Sequence, residues 1–209
     1  MKKYLLLVIP IFFYRELFRY FNLEALINLI IVMICLTFLF KRTALRNVLD
    51  LFIAICFTIY FCILYSKTVE LKGIVIGFSH SFSFENAKNV FDTVNLIPIK
   101  GIFEVITQNI SNLNVLYQVF GNTIMLAPFA FALLYFEWTK SYKQAIWYTL
   151  LCTVGIEFIQ FVLSLYYSVF EIGLRRSIDI DDVILNTIGA GIGIGGYYLW
   201  SIIETQFKR

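Results

Sequence analysis

The side chains of this sequence that could do chemistry are few, and most lie in apolar surroundings. The densest group is RSIDIDDVILNTIGAGIG, residues 176–193. With about 100° of turn per helical residue, Asp179, Asp182, Asn186, Gly189 and Gly193 fall within an arc of roughly 80° on one face. One stripe thus carries two carboxylates, an amide and two glycines. Arg176 is one turn ahead of Asp179 and can neutralise it. Asp181 falls off the stripe and is expected to be solvated. Glu157 and Gln160 are three residues apart, so a helix presents them on one face. Asn122 precedes Pro128 in another apolar run. Glu157, removed from water, is the candidate general acid or base. Asp179 and Asp182 are weak candidates for holding a divalent cation through oxygen ligands. Each residue also has a plainer role. Asp179 and Asp182 can cap a helix, and Glu157 can be a structural partner of Arg176. Asn122 can join two helices, and the glycines can let helices approach closely.

Other chemistry is excluded or weakened. His80 is the single histidine, so a multi-histidine metal site is ruled out. A Ser-His-Asp triad would have to use that one residue, whose plainer role is a loop position. Cys35, Cys56, Cys62 and Cys152 all fall in apolar runs and form no CxxC pair, which reads as packing. There is no GxxxxGK[ST] phosphate loop. No cofactor is expected.

The elements that must position these residues are set by composition. The chain has 209 residues, 60% apolar and 15% charged, with mean hydropathy +0.79. Soluble domains average about 45–50% apolar and about 25% charged residues. The excess lies in long runs, which indicates a polytopic membrane protein. It disfavours a disordered chain, a nucleic-acid-binding module and a soluble enzyme. A bilayer core of about 30 Å needs roughly 20 helical residues. Five runs meet or approach that length: 23–40, 48–65, 115–136, 145–165 and 183–203. Residues 4–21 form either a sixth span or an interfacial helix, and the span is preferred because it leaves Lys2 and Lys3 on the cytoplasmic side. No small-residue cleavage site follows the apolar run 5–13, so removal as a signal peptide is disfavoured. A short helix can follow Pro98. The expected fold is an all-α transmembrane bundle of five or six spans.

Orientation follows from basic residues in the connecting segments. Loops 41–47 and 137–144 and the tail 204–209 carry Lys41, Arg42, Arg46, Lys140, Lys143, Lys208 and Arg209. The far longer loops 66–114 and 166–182 carry only Lys67, Lys72, Lys88, Lys100, Arg175 and Arg176. The first set is therefore assigned to the cytoplasm, with the C-terminus inside. Asn122, Glu157, Gln160, Asp179, Asp182 and Asn186 then all lie in the outer halves of their spans. Polar groups at one depth imply an outward-facing polar cavity, because each alone is costly in lipid.

Taken together these residues resemble the VanZ-like family of bacterial membrane proteins. The matching stretches are Asn95-Leu96-Ile97-Pro98-Ile99, Asn122 with Pro128-Phe129-Ala130, Glu157 with Gln160, and Arg176, Asp179, Asp181-Asp182, Asn186 and Gly189. Ile99 stands for the usual Phe and Ala130 for the usual Gly. The resemblance runs from about residue 48 to 203, which suggests an N-terminal membrane extension over 1–47 and a VanZ-like domain over 48–209. It implies a bacterial plasma membrane and a role in the cell envelope, with teicoplanin resistance as the family's namesake property. The expected partners are the lipid bilayer and an amphipathic or lipid-linked envelope ligand, with no nucleic acid. Asn95, Asn122, Glu157, Gln160, Arg176, Asp179, Asp182 and Asn186 are its candidate contacts. An intramembrane enzyme using Glu157, and a lipid or small-molecule transporter, are the competing functions. The topology has a direct check. Alkaline phosphatase fused at the C-terminus is expected to be inactive and green fluorescent protein there fluorescent, whereas phosphatase inserted in loop 66–114 is expected to be active.

Overall fold

A computed structural model describes residues 2–15, 17, 20, 22–73, 84–108, 113–170 and 179–207. Helices account for 82% of the described residues, which contain no strand. A 3-10 helix, Lys2–Leu7, leads into α1 (Val8–Phe13), followed by α2 (Leu23–Lys41), α3 (Val48–Thr68), α4 (Phe84–Asp92) and α5 (Lys100–Gln108). Then come α6 (Leu113–Met125), α7 (Ala127–Tyr135), α8 (Tyr142–Val169) and α9 (Ile180–Phe207). Among the described residues, five helical stretches are long and apolar enough to cross a membrane: Leu23–Lys41, Val48–Thr68, Leu116–Tyr135, Tyr142–Val169 and Ile180–Gln206. They coincide with the five runs expected from hydropathy. Most of each spanning window is not buried within the chain, as befits helices whose surroundings are lipid.

Local chemistry sets the helix ends. The Asn22 side chain accepts from the Glu24 and Ala25 N–H groups at the start of α2. Asn47 accepts from Asp50 N–H at the start of α3, at 2.7 Å. The third span is interrupted at Leu126, between α6 and α7. Pro128 is the cause. It donates no hydrogen bond and its ring collides with the carbonyl one turn back, so it is tolerated only in a helix's first turn.

The chain divides into two compact units, residues 1–93 with 159–177, and residues 94–158 with 178–209. Helix α8 runs through both. In the first unit the N-terminal segment packs along α2 and α3. Lys3 Nζ donates to the carbonyls of Lys41 and Thr43 at 2.8 and 3.1 Å. Tyr14 lies within electrostatic range of Glu70, Tyr65 and Cys62, at the other end of α3. Lys3–Phe13 is a shorter apolar helix packed on α2 and α3, and it is not among the five stretches long enough to cross a membrane.

Residues 68–73 of this unit form a strap pinned by helix side chains. Asn28 donates to the Leu71 carbonyl at 2.8 Å and accepts from Leu71 N–H at 3.0 Å and Tyr65 Oη at 2.7 Å. Glu24 accepts from Gly73 N–H, and Tyr167 Oη accepts from Lys72 N–H. The polar residues of the first apolar run are thus consumed by backbone that would otherwise be unpaired.

In the second unit α9 packs against α6 and α7. A Cβ at Gly189 would overlap the Thr123 carbonyl oxygen, and one at Gly193 the Ala127 carbonyl oxygen. These two glycines are therefore contact points between backbones, the role assigned to them above. Gly191 and Gly195 meet nothing. Overpacking costs about 1–3 kcal/mol where side chains can yield. Here backbone blocks the way, so Gly189→Leu and Gly193→Leu are expected to exceed that range. Gly191→Ala is expected to be neutral or slightly stabilising, with a helix-propensity gain of up to about 1 kcal/mol. Thermal unfolding of the detergent-solubilised variants checks this.

Candidate functional site

The second unit gathers most of the candidate residues at the start of α9. Asp179 precedes the helix and acts as its cap, accepting from Asp181 N–H through Oδ1 at 2.9 Å. Asn95 meets it from the strand-like segment before α5. Asn95 Nδ2 donates to Asp179 Oδ1 at 2.9 Å, and the Asn95 carbonyl accepts from Ile180 N–H at 3.0 Å. Asp179 N–H in turn donates to Glu157 Oε2 on α8, at 3.4 Å. From α6, Asn122 Nδ2 donates to Asp182 Oδ1. Asp182 N–H donates to the Asp179 carbonyl at 3.1 Å, so Asn95, Asn122, Glu157, Asp179 and Asp182, from four separate parts of the chain, form one connected cluster. Glu157 and Asn122 are each 5% exposed, while Asp179 and Asp182 are half-buried.

Asp181 is not solvated, contrary to its position off the stripe. It is 3% exposed and accepts from Ile99 N–H and, at 3.1 Å, from Ile102 N–H. The first N–H groups of any helix lack intrahelical partners. Those of α5 follow Ile97, Pro98 and Ile99, none of which has a capping side chain, so the cap comes from α9. Gly101 completes this contact, because a Cβ there would stand 3.1 Å from Asp181 Oδ2 and 3.5 Å from Asp179 Oδ2. The signal was present in the sequence as a helix start with no local cap. Asp179 and Asp181 are thus largely occupied in holding residues 95–102 to α9.

Asn186 lies one turn beyond Asp182 and is fully buried, with neither its amide nitrogen nor its oxygen hydrogen-bonded. Helical side chains lean toward the helix N-terminus, so its amide leans toward Asp182. Thr153, one turn before Glu157 on α8, is also fully buried with an unpartnered hydroxyl. One other candidate is placed differently. Gln160 belongs to the first unit, where it donates to the Thr68 carbonyl at 3.1 Å. Arg176 and His80 lie outside the described residues. Among the described residues, no three His, Cys, Asp or Glu side chains converge as metal ligands.

Five spanning helices and a carboxylate–amide cluster at the start of the last one define a transmembrane helical protein with a polar site. The chain matches the VanZ/LLP1 family model over residues 57–201, more than half its length, and it belongs to the VanZ-like family. No curated protein and no solved structure matches it.

The Asp181 cap makes a specific prediction. Losing hydrogen bonds to a buried charged acceptor costs about 1–3 kcal/mol. Asp181→Ala is expected to destabilise the protein by that order and to speed amide exchange at Ile99 and Ile102. Hydrogen–deuterium exchange on the purified protein checks both, and a solvated Asp181 would give neither change.

Proposed function

We propose that this VanZ-like protein resides in the bacterial plasma membrane with its C-terminus in the cytoplasm. There its acidic cluster faces outward and binds the polar head of an amphipathic or lipid-linked envelope ligand. Teicoplanin, with its acyl chain and its site of action outside the membrane, is the ligand class that the family resemblance suggests, and resistance to it is the corresponding role. The observation that carries this reading is Asn186. A buried amide without partners is costly in any fold and more so at membrane depth. It is retained beneath Asp182, where a bound hydroxyl, amide or ammonium could use it or its neighbours. Asp179 holds the Asn95 side chain and Asp181 holds the Ile99 and Ile102 N–H groups, and the proposed ligand contacts are Asn122, Glu157, Asp182 and Asn186. Arg176 is proposed to add a positive charge for a phosphate or carboxylate.

The test separates a site from a scaffold. Asn186→Leu replaces an unsatisfied amide with an apolar group of similar size, so unfolding temperature is expected to hold or rise. Teicoplanin binding to the protein in lipid nanodiscs, and teicoplanin tolerance of the host, are expected to fall. Glu157→Gln and Asp182→Asn are expected to weaken binding about tenfold or more, since hydrogen bonds to charged groups contribute roughly 1.5–3 kcal/mol. Unchanged binding and tolerance in all three variants, at normal expression, would sink the reading.

A further inference from the structure

The segment that α9 holds down carries an unusual outer surface. Leu96, Ile97, Ile99 and Phe103 are 68, 61, 57 and 63% exposed. Lys100 is exposed among them. The inner side of the same segment is polar and bonded to the start of α9. Asn95 is joined to Asp179, the Ile99 and Ile102 N–H groups to Asp181, and Gly101 rests on both aspartates. The apolar side chains therefore have no route inward while these bonds hold.

The backbone reinforces this orientation at a cost. Ile99 has φ 67°, a left-handed conformation that β-branched residues rarely adopt. Strain of this kind persists only where surrounding contacts over-determine it, and Asp181 supplies the contact. In water the segment would carry two penalties together, a strained β-branched residue and a cluster of large exposed apolar side chains. In hydrocarbon the second penalty disappears.

The neighbouring elements are membrane-spanning. Helix α5 packs on α6 and α9, and both belong to membrane-spanning stretches. On α6 the side chains of Leu113, Tyr117 and Phe120 are 77, 80 and 63% exposed, continuing the apolar surface of a spanning helix. Lys100 matches the anionic phosphate layer that borders the hydrocarbon, with its stem apolar and its head charged.

We propose that residues 96–103 are a membrane-inserted anchor, whose Leu96, Ile97, Ile99 and Phe103 side chains enter the hydrocarbon edge of the bilayer while Lys100 meets lipid phosphate. The assignment is independent of any ligand at the acidic cluster. It makes Asp181 the residue that transmits the position of this anchor to the start of α9.

The experiment uses the full-length protein with Cys35, Cys56, Cys62 and Cys152 replaced by alanine. Single cysteines are introduced as Ile97→Cys, Phe103→Cys and, as the reference, Lys140→Cys, and each is labelled with the environment-sensitive fluorophore NBD. Leu96→Cys replaces either test position if that variant does not fold. The proteins are reconstituted in phosphatidylethanolamine–phosphatidylglycerol vesicles with and without brominated acyl chains. Interfacial insertion places groups about 5–10 Å deep, so bromolipid is expected to quench the probes at 97 and 103 about threefold more than the probe at 140. Their emission is expected to shift to the blue, and aqueous iodide to quench them less than the reference. Iodide quenching equal to that at 140 with no bromolipid effect would overturn the proposal in favour of a solvated loop. Shielding from both quenchers would overturn it in favour of a protein cover, such as a second copy of the chain.

Discussion

A polar group at membrane depth has no water to turn to, and the arrangement of this protein follows from that constraint. Helices satisfy their own backbone except at the ends, and each end near lipid must find a partner. Asp181 supplies one for α5, and Asn95 supplies another for the entry to α9. In the first unit Asn28 and Glu24 do the same for the strap at 68–73. Polar residues in apolar runs are therefore of two kinds here. Some bond the backbone of a neighbouring segment, and among the described residues Asn186 and Thr153 are buried with no hydrogen-bond partner.

That division changes how the acidic stripe is understood. Asp179, Asp181 and Asp182 are close in sequence yet do different work. The first caps its own helix and binds Asn95, and the second caps another helix. The third meets Asn122 above a fully buried, unpartnered Asn186. Below them the glycines bring α9 onto the backbone of α6 and α7. Larger residues there would push the helices apart and separate Asp182 from Asn122. The packing stripe and the polar cluster are thus one construction, with small residues setting the distance at which the polar ones meet.

Much of this was legible from residue order alone. Hydropathy located all five spanning stretches, because a lipid-facing helix needs continuous apolar sequence. The turn geometry of 176–193 placed Asp182, Asn186 and the glycines on one working face, and Pro98 marked the start of α5. Side-chain reach was not legible. Gln160 shares a helix face with Glu157, yet its amide extends to the Thr68 carbonyl. Asp181 falls off the stripe yet is buried, because helical periodicity describes a single helix and says nothing of a neighbour whose first turn lacks a cap. The left-handed backbone at Ile99 was equally hidden, since an isoleucine is the last residue to suggest it.

The pairing of α9 with α6 and α7 has an electrostatic corollary. Asp182 meets Asn122, Gly189 meets Thr123 and Gly193 meets Ala127, so the helices descend side by side in the same direction and their peptide dipoles add. The beginning of α5 opens on the same spot. Each helix beginning is equivalent to about half a positive charge, so converging beginnings offset part of the charge of the carboxylates lodged among them. Without its acids, this end of the unit would draw anions.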